Sequence, residues 1–239
     1  MLTSRLFFIG AACALALSAC GKSNSGADAA EISDTQTSAQ TQPVTSNPAP
    51  GDSAPAATGD SLALAEMSMG DPNAPVKMVE YASLTCPHCA TFHATMFPRV
   101  KEEYIDTGKV HFTFREFPLQ RLDYLVFALS RCAAEGRGAD GYFAMLSTLF
   151  KNQNTWMSSN RDAEILKYAA QAGLNESAFR SCVSRPEITE KVQASRQAGM
   201  DAGVNSTPSF VLNGEKMDRY RSVDEYFEML DAAVTAASN

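Results

Sequence analysis

Residues 76–89 have the sequence VKMVEYASLTCPHC, in which a Cys-x-x-Cys motif directly follows an apolar run. The run, residues 76–81, is typical of a buried strand, and residues 90–106 after the motif are typical of a helix. A Cys-x-x-Cys pair between a strand and a helix is typical of a redox site. We therefore interpret residues 86–89 as the redox centre of a folded domain.

The position of this motif explains how it would react. The first N–H groups of a helix have no partner within the helix, so the helix N-terminus favours an anion. Cys86 lies there, and its thiol is expected to ionise below the usual pKa of about 8.5. His88 is expected to favour the same thiolate, and Cys89 is the resolving thiol. Because stabilising the reduced form makes a disulfide a stronger oxidant, Cys86-Pro87-His88-Cys89 favours donating disulfides over reducing them.

Metal binding is the main alternative for this motif. A zinc site would need a second ligand pair at comparable spacing, and Cys132 and Cys182 are far apart in the sequence. His93, four residues after Cys89, would complete a soft metal site, although a histidine there more often packs or caps. We predict no metal, and a non-catalytic metal-binding lipoprotein that uses Cys86, Cys89 and His93 is kept as an alternative from another class.

The composition excludes some functions. The chain has 239 residues, of which 45% are hydrophobic, enough for one good core with an insertion. Its net charge is -7 and its pI is near 5.0. Because no basic patch with interleaved aromatic residues is present, nucleic acid is not expected as a partner.

The N-terminus predicts export. Residues 1–19 have a positive residue, Arg5, followed by an apolar run too short to span a membrane comfortably, as in a signal peptide. Residues 17–20, LSAC, resemble a bacterial lipobox, which implies that Cys20 is diacylated and begins the mature protein. An ordinary cleaved signal is the alternative. We expect a periplasmic lipoprotein anchored in the inner or the outer membrane.

A polar segment follows the expected lipidation site. Residues 20–61 are rich in Ser, Thr, Ala, Gln, Pro and Gly and contain no aromatic residue, so they predict a flexible tether. A dimerisation segment would need periodic apolar residues here, and none is visible. We therefore expect a monomer.

Residues 62–239 predict one α/β domain. Strands are predicted at residues 63–69, 76–81, 109–117, 209–212 and 215–217. Helices are predicted at residues 90–106, 122–129, 143–150, 165–172, 178–183, 187–202 and 223–236. The strand-helix-strand order around the motif predicts a βαβ unit, and residues 118–186 predict a helical insertion.

Several short motifs together resemble one family. These motifs are residues 79–83 (VEYAS) leading into 86–89 (CPHC), residues 115–118 (REFP) and residues 203–210 (GVNSTPSF). With them, the chain from about residue 67 resembles the DsbA-type thioredoxin-fold family of bacterial disulfide oxidoreductases. The resemblance implies a thioredoxin fold with an inserted α-helical subdomain.

The resemblance gives three further residues a role. It implies that Pro208 is a cis-proline beside the redox pair, so that the preceding backbone can pair with a bound peptide. It implies that Glu80 is a buried acid that moves protons to and from Cys89. The alternation of the strand leaves the face of Glu80 open. Thr207 precedes the proline where the best-known oxidases carry an apolar β-branched residue, which shifts the expectation toward isomerases and thioredoxins.

A second disulfide is also implied. Some members of the family close the helical insertion with a disulfide, and Cys132 and Cys182 resemble that pair. A loop of about 50 residues closed in this way would stabilise the domain by about 3–4 kcal/mol in the chain-entropy model. Two buried free thiols are the alternative.

The expected function is disulfide donation to exported proteins through Cys86 and Cys89. No dissociable cofactor is needed for this exchange. By resemblance, a quinone-linked membrane oxidase of DsbB type would reoxidise the enzyme, and reduced or unfolded exported proteins would be its substrates. An isomerase or reductase of the same fold is the alternative.

Overall fold

The computed structural model describes residues 61–237, and a five-stranded sheet lies at its centre. The strands are β1 (Met67–Met69), β2 (Val76–Ala82), β3 (Val110–Glu116), β4 (Ser209–Leu212) and β5 (Glu215–Lys216). They lie in the order β1-β3-β2-β4-β5. β2 and β3 are parallel, and each other neighbouring pair is antiparallel. β2, which leads into the Cys-x-x-Cys motif, is therefore the central strand.

Helices connect and cover the strands. They are α1 (Pro87–Thr95), α2 (Phe97–Val100), α3 (Arg121–Ala134), α4 (Gly138–Lys151), α5 (Gln153–Trp156), α6 (Arg161–Gln171), α7 (Glu176–Val183), α8 (Pro186–Asp201) and α9 (Val223–Ala237). α1 and α2 connect β2 to β3 and complete the predicted βαβ unit. α3 to α7 lie between β3 and α8, where the helical insertion is predicted.

The N-terminal edge strand is shorter than the sequence predicts. Only Met67–Met69 pairs with β3, and Leu62–Leu64 forms a short 3-10 helix instead. Arg131 of α3 explains the difference. Its guanidinium donates to the carbonyl oxygens of Ala63 and Ala65, at 2.7 and 3.2 Å, so these carbonyls bind the helical layer rather than a neighbouring strand.

The helix after the motif is interrupted. The sequence predicts one helix over residues 90–106, whereas α1 ends at Thr95 and α2 begins at Phe97. Pro98 has no N–H to donate to the carbonyl of residue 94, so the regular pattern cannot continue through it. A wider turn then follows at Lys101–Ile105, where the N–H of Asp106 donates to the carbonyl of Lys101.

A short helix, α5, was not predicted from the sequence. It begins after Asn152 and ends at Trp156, whose side chain is fully buried. The indole N–H of Trp156 donates to the carbonyl of Leu149 at 2.7 Å. Four residues are too few to show a helical period, so pattern analysis does not detect this element.

Close packing on both faces of the sheet buries the last three residues of β2, 80–82, whereas Lys77 near its start is exposed. In β2, Glu80 pairs with Phe114 on β3 and with Phe210 on β4. On α8, a Cβ atom at Gly199 would lie 2.8 Å from both Tyr81 and Phe117, so only glycine lets this helix approach the sheet so closely. Alternation of polar and apolar residues is consequently weak along β2.

Several expectations concern residues that the structure does not describe. The signal peptide at residues 1–19, the lipidation of Cys20 and the tether up to residue 60 all lie outside the described residues. Within residues 61–237, no helix is both long enough and apolar enough to cross a membrane.

Candidate active site

Cys86 lies at the N-terminus of α1. It has an extended backbone conformation, and its carbonyl accepts the first hydrogen bond of the helix, from Ala90 N at 3.1 Å. Pro87 occupies the first helical position, where its missing N–H costs nothing. The Cys86 residue is only 6% exposed, while Pro87 and His88 are exposed beside it.

The surroundings of Cys86 favour its thiolate. A hydrogen bond from the Cys89 thiol lowers the pKa of Cys86 from 9.0 to about 5, although burial acts in the opposite direction. The Thr207 hydroxyl and the backbone N–H groups of Cys89 and His88 lower this pKa further. The contribution of His88 is therefore its backbone N–H at the first turn of the helix, where the sequence predicts anion stabilisation.

The environment of Cys89 shifts the pKa of its thiol in the opposite direction to that of Cys86. Both cysteines are in the dithiol state here, and Cys89 is fully buried. Burial raises the pKa of Cys89 far above its usual range, and the hydrogen bond to Cys86 and the charge of Glu80 act in the same direction. Cys86 is thus the sulfur that ionises more readily, and Cys89 holds its proton.

Thr207, the residue before Pro208, borders the sulfur of Cys86. The Thr207–Pro208 peptide bond is cis, and the Cys86 thiol donates to the Thr207 carbonyl at 3.4 Å. The Thr207 hydroxyl is buried, and it makes no hydrogen bond with the described residues while Cys86 is a thiol. It is therefore available to donate when Cys86 ionises.

Glu80 is buried below the redox pair, and His93 is its partner. The Glu80 carboxylate is fully buried, and both of its oxygens lie 3.1 Å from Nε2 of His93. The His93 ring stacks on Phe150, with ring centroids 4.1 Å apart and planes inclined by 15°. Which face Glu80 takes was left open by the sequence, and in the structure it faces α1.

This pairing also bears on the metal alternative, because it occupies Nε2 of His93. His93 was considered as a third metal ligand with Cys86 and Cys89, but its Nε2 contacts Glu80 instead. In residues 61–237 no group of three or more His, Cys, Asp or Glu side chains is placed to hold a metal ion.

Asp123 on α3 holds the loop that precedes Cys86. Its buried carboxylate accepts hydrogen bonds from the Ser83 hydroxyl at 2.9 Å and from the backbone N–H and the hydroxyl of Thr85 at 3.0 and 2.9 Å. The N–H groups of Leu119 and Gln120 also donate to it. Sequence analysis missed Asp123, although its place three residues after Gln120 forms a capping box.

Gln153 on α5 holds the motif itself. Its side-chain amide, in a buried residue, donates to the carbonyl oxygens of Leu84 at 2.7 Å and Cys86 at 3.0 Å. Nothing in the local sequence indicates this role, because the two carbonyls lie more than 60 residues earlier in the chain. The helical insertion therefore takes part in shaping the redox site.

A disulfide joins Cys132 on α3 to Cys182 on α7. The two residues are 50 positions apart, with an S–S distance of 2.08 Å and a Cα–Cα distance of 6.1 Å. The bond connects the two helices of the insertion that flank α4 to α6 in the sequence.

Comparison with known proteins supports the predicted fold class. Residues 63–232 match a family model described as thioredoxin. A Rickettsia bellii protein, provisionally named a protein-disulfide oxidoreductase, is 32% identical over 176 residues. That alignment covers 73% of this chain and 66% of the relative, so the chain spans just under two thirds of that protein's length.

Two further similarities extend this result. A Bacillus cereus protein, provisionally named disulfide bond formation protein D, is 30% identical over 153 residues, which cover 62% of this chain and 70% of that protein. The crystal structure of alpha-DsbA1 from Wolbachia pipientis has a TM-score of 0.65 and 31% identity. The match covers 72% of this chain and 92% of the Wolbachia chain. This similarity confirms the α/β fold with a helical insertion.

Proposed function

Because this chain belongs to the thioredoxin family, among its DsbA-like members, we propose that it is a thiol-disulfide oxidoreductase that introduces disulfide bonds into exported proteins. One observation supports this proposal most strongly. Cys86 has a pKa of about 5 at a helix N-terminus, whereas burial raises the pKa of Cys89. A stabilised thiolate favours the reduced form of the pair, so the Cys86–Cys89 disulfide readily oxidises the thiols of a substrate.

In the proposed cycle, a substrate thiolate attacks Sγ of Cys86 in the Cys86–Cys89 disulfide. The new bond joins the substrate sulfur to Cys86, the old bond breaks, and its electron pair goes to Cys89, which takes up a proton. A second substrate thiolate then attacks the substrate sulfur of the mixed disulfide, and Cys86 leaves as a thiolate. The substrate loses two electrons and the enzyme gains two.

The other predicted residues have roles in the same proposal. Glu80 supplies the proton to Cys89, and Thr207 stabilises the Cys86 thiolate through its hydroxyl. Pro208 lies beside the sulfur at the surface where a substrate peptide binds. The Cys132–Cys182 disulfide stabilises the helical insertion. Residues 62–239 form the catalytic domain.

An equilibrium with glutathione tests the direction of the reaction. The full chain is incubated with graded ratios of reduced to oxidised glutathione, and free thiols are alkylated and counted by mass. An oxidase has a Cys86–Cys89 pair that is reduced in mildly reducing buffer. A pair that stays oxidised in strongly reducing buffer would instead support the isomerase or reductase alternative.

Two matched variants test the chemistry. Cys89→Ala is expected to form a long-lived mixed disulfide through Cys86, because the resolving sulfur is absent. Cys86→Ala is expected to form none and to lose dithiol oxidation. Undiminished oxidation by Cys86→Ala would exclude the proposed enzyme.

The place of action is part of the proposal. The sequence of residues 1–20 supports export to the periplasm and anchoring in a membrane through diacylated Cys20. Incorporation of labelled palmitate, lost in Cys20→Ser, is the expected result. Label retained by Cys20→Ser would place the modification elsewhere.

The proposed partners are reduced exported proteins and a quinone-linked membrane oxidase, with the protein acting as a monomer. Depletion of quinones in cells is then expected to accumulate the dithiol form of Cys86 and Cys89. Light scattering of the purified chain in detergent checks the monomer, after subtraction of the detergent mass.

A further inference from the structure

The buried pair Glu80–His93 has a geometry suited to proton transfer. Nε2 of His93 lies 3.1 Å from both carboxylate oxygens of Glu80. The Glu80 side chain is 0% exposed and that of His93 is 6% exposed. An imidazolium at this position donates to a carboxylate, and a carboxylic acid donates to a neutral imidazole. A single proton therefore fits on either member without movement of the side chains.

Glu80 is also electrostatically coupled to Cys89, because burial and the hydrogen bond to Cys86 raise the pKa of that thiol and the charge of Glu80 acts in the same direction. The other titratable groups that sense the Glu80 charge are phenols, namely Tyr142, Tyr220 and Tyr226. Burial raises the pKa of each of these phenols, so they are poor proton carriers near neutral pH. Among these groups His93 is the one imidazole, the side-chain type that exchanges protons near neutral pH.

His93 connects this buried region to solvent. It lines an open cavity of about 550 Å³, together with Pro87, Phe150, Gln153 and Lys151. Lys151 is the other charged side chain on this lining and is exposed. A proton from water in the cavity can thus reach His93 without passing through the sheet.

We propose that His93 is the outer member of a proton relay that connects solvent to Glu80 and Cys89. The inference rests on the proposed function and adds a residue to it. When the Cys86–Cys89 bond breaks, the thiolate of Cys89 takes the single proton of the pair from Glu80. His93 then takes a proton from solvent in the cavity, becomes an imidazolium and passes one proton from Nε2 to the Glu80 carboxylate, which restores the starting state. The reverse sequence removes the proton when the disulfide is re-formed. His93 is thus a positioning and proton-carrying residue that acts through Glu80.

The test compares His93→Gln with His93→Ala in the full chain. Glutamine keeps a hydrogen-bond donor for Glu80 but carries no exchangeable charge, and alanine leaves space for a small molecule. We measure the rate at which a dithiol peptide reduces the Cys86–Cys89 disulfide, in H₂O and in D₂O. Since general acid catalysis contributes roughly 10²–10⁴-fold, we expect each variant to be at least about tenfold slower than wild type.

Two further measurements distinguish a relay from a structural role. Added imidazole is expected to restore the rate of His93→Ala, because it enters through the cavity, and not that of Glu80→Gln. His93→Gln is expected to add no further defect to Glu80→Gln, since both break the same path. His111→Gln, a histidine on β3 away from this cavity, is the matched control and should leave the rate unchanged.

Three outcomes would overturn the relay. The first is a rate and an isotope effect of His93→Gln that equal those of the wild type. The second is a double variant His93→Gln with Glu80→Gln whose rate is lowered by the product of the two single effects. The third is a slow His93→Ala whose rate imidazole does not restore. In each case the loss of activity in Cys86→Ala would still uphold the oxidoreductase. If the wild-type chain itself oxidises no dithiol, the proposed function fails before the relay is reached.

Discussion

The side-chain amide of Gln153 donates a hydrogen bond to the carbonyl oxygen of Cys86, the proposed nucleophile, at 3.0 Å. A second bond from the same nitrogen reaches the Leu84 carbonyl at 2.7 Å. A side chain of the helical insertion therefore holds two residues, Leu84 and Cys86, of the short segment 83–86 between β2 and α1. The redox site depends on an element outside the βαβ unit that contains its cysteines.

Gln153→Leu is expected to destabilise the protein and to loosen the redox site. The two buried carbonyls lose their donor, and an unsatisfied buried polar group costs about 1–3 kcal/mol. Urea unfolding should show a lower free energy of unfolding, and dithiol oxidation should slow. Gln171→Leu, an exposed glutamine on α6, is the control and should change neither. Equal stability of Gln153→Leu and wild type would show that water replaces the amide.

The equilibrium with glutathione should depend on pH in a defined way. The pKa of Cys86 in the folded protein, about 5, lies below its ordinary value of 9.0, so the thiolate stabilises the dithiol form above about pH 5. That stabilisation is lost as pH falls through about 5. Between this value and the thiol pKa of glutathione, near 8.5, reduction of the enzyme binds one proton and releases two from glutathione.

The resulting slope is the measurable prediction. Because one net proton is released, the equilibrium constant for reduction by glutathione should rise about tenfold per pH unit, equivalent to about 30 mV. Alkylation and mass spectrometry at a series of pH values give this slope. A pH-independent constant over the same range would mean that Cys86 is protonated there.

Removal of Arg131 should destabilise the protein strongly. Arg131 and Glu116 are 2% and 1% exposed and form an ion pair at 2.6 Å. The Tyr142 hydroxyl also donates a hydrogen bond to the Glu116 carboxylate. Arg131→Met leaves a buried carboxylate unpaired, which typically costs about 3–5 kcal/mol. The double variant Arg131→Met with Glu116→Gln is expected to regain much of the lost free energy of unfolding, measured by urea unfolding. If the double variant is less stable than Arg131→Met, the carboxylate is not the source of the cost.

Loss of the Cys132–Cys182 disulfide should lower stability more than activity. The bond closes a loop of about 50 residues, and the chain-entropy model gives a contribution of about 3–4 kcal/mol. The double variant Cys132→Ala with Cys182→Ala avoids an unpaired thiol. Thermal unfolding with Cys86–Cys89 oxidised should show a lower midpoint. An unchanged midpoint would mean that the unfolded chain does not gain freedom when the bond is removed.

Much of the fold follows from local patterns. The bounds of β4, Ser209–Leu212, are confirmed, because Pro208 and the Asn213-Gly214 turn bracket an apolar run. The four helices predicted for the insertion are confirmed as α3, α4, α6 and α7, with ends shifted by a few residues, and α5 is additional. Local signals place these elements because each contains its own start, period and stop.

The parts that could not be predicted depend on distant partners. Residues 62–64 leave the edge strand because Arg131, more than 60 residues away, binds the carbonyls of Ala63 and Ala65. Asp123 and Gln153 act on the redox loop from α3 and α5, and no local pattern pairs them with it. The sequence leaves the face of Glu80 open because β2 is buried on both faces from this residue to its end, which removes the alternation that would indicate the face.

The contrast between Cys86, which is 6% exposed at the start of α1, and the fully buried Cys89 has a kinetic consequence. In the proposed cycle, both the substrate and the protein that reoxidises the enzyme must react at the same sulfur. Each can bind only after the other has left, so turnover should follow ping-pong kinetics, with parallel lines in double-reciprocal plots. An excess of reduced substrate would then occupy the dithiol enzyme and compete with its own reoxidation.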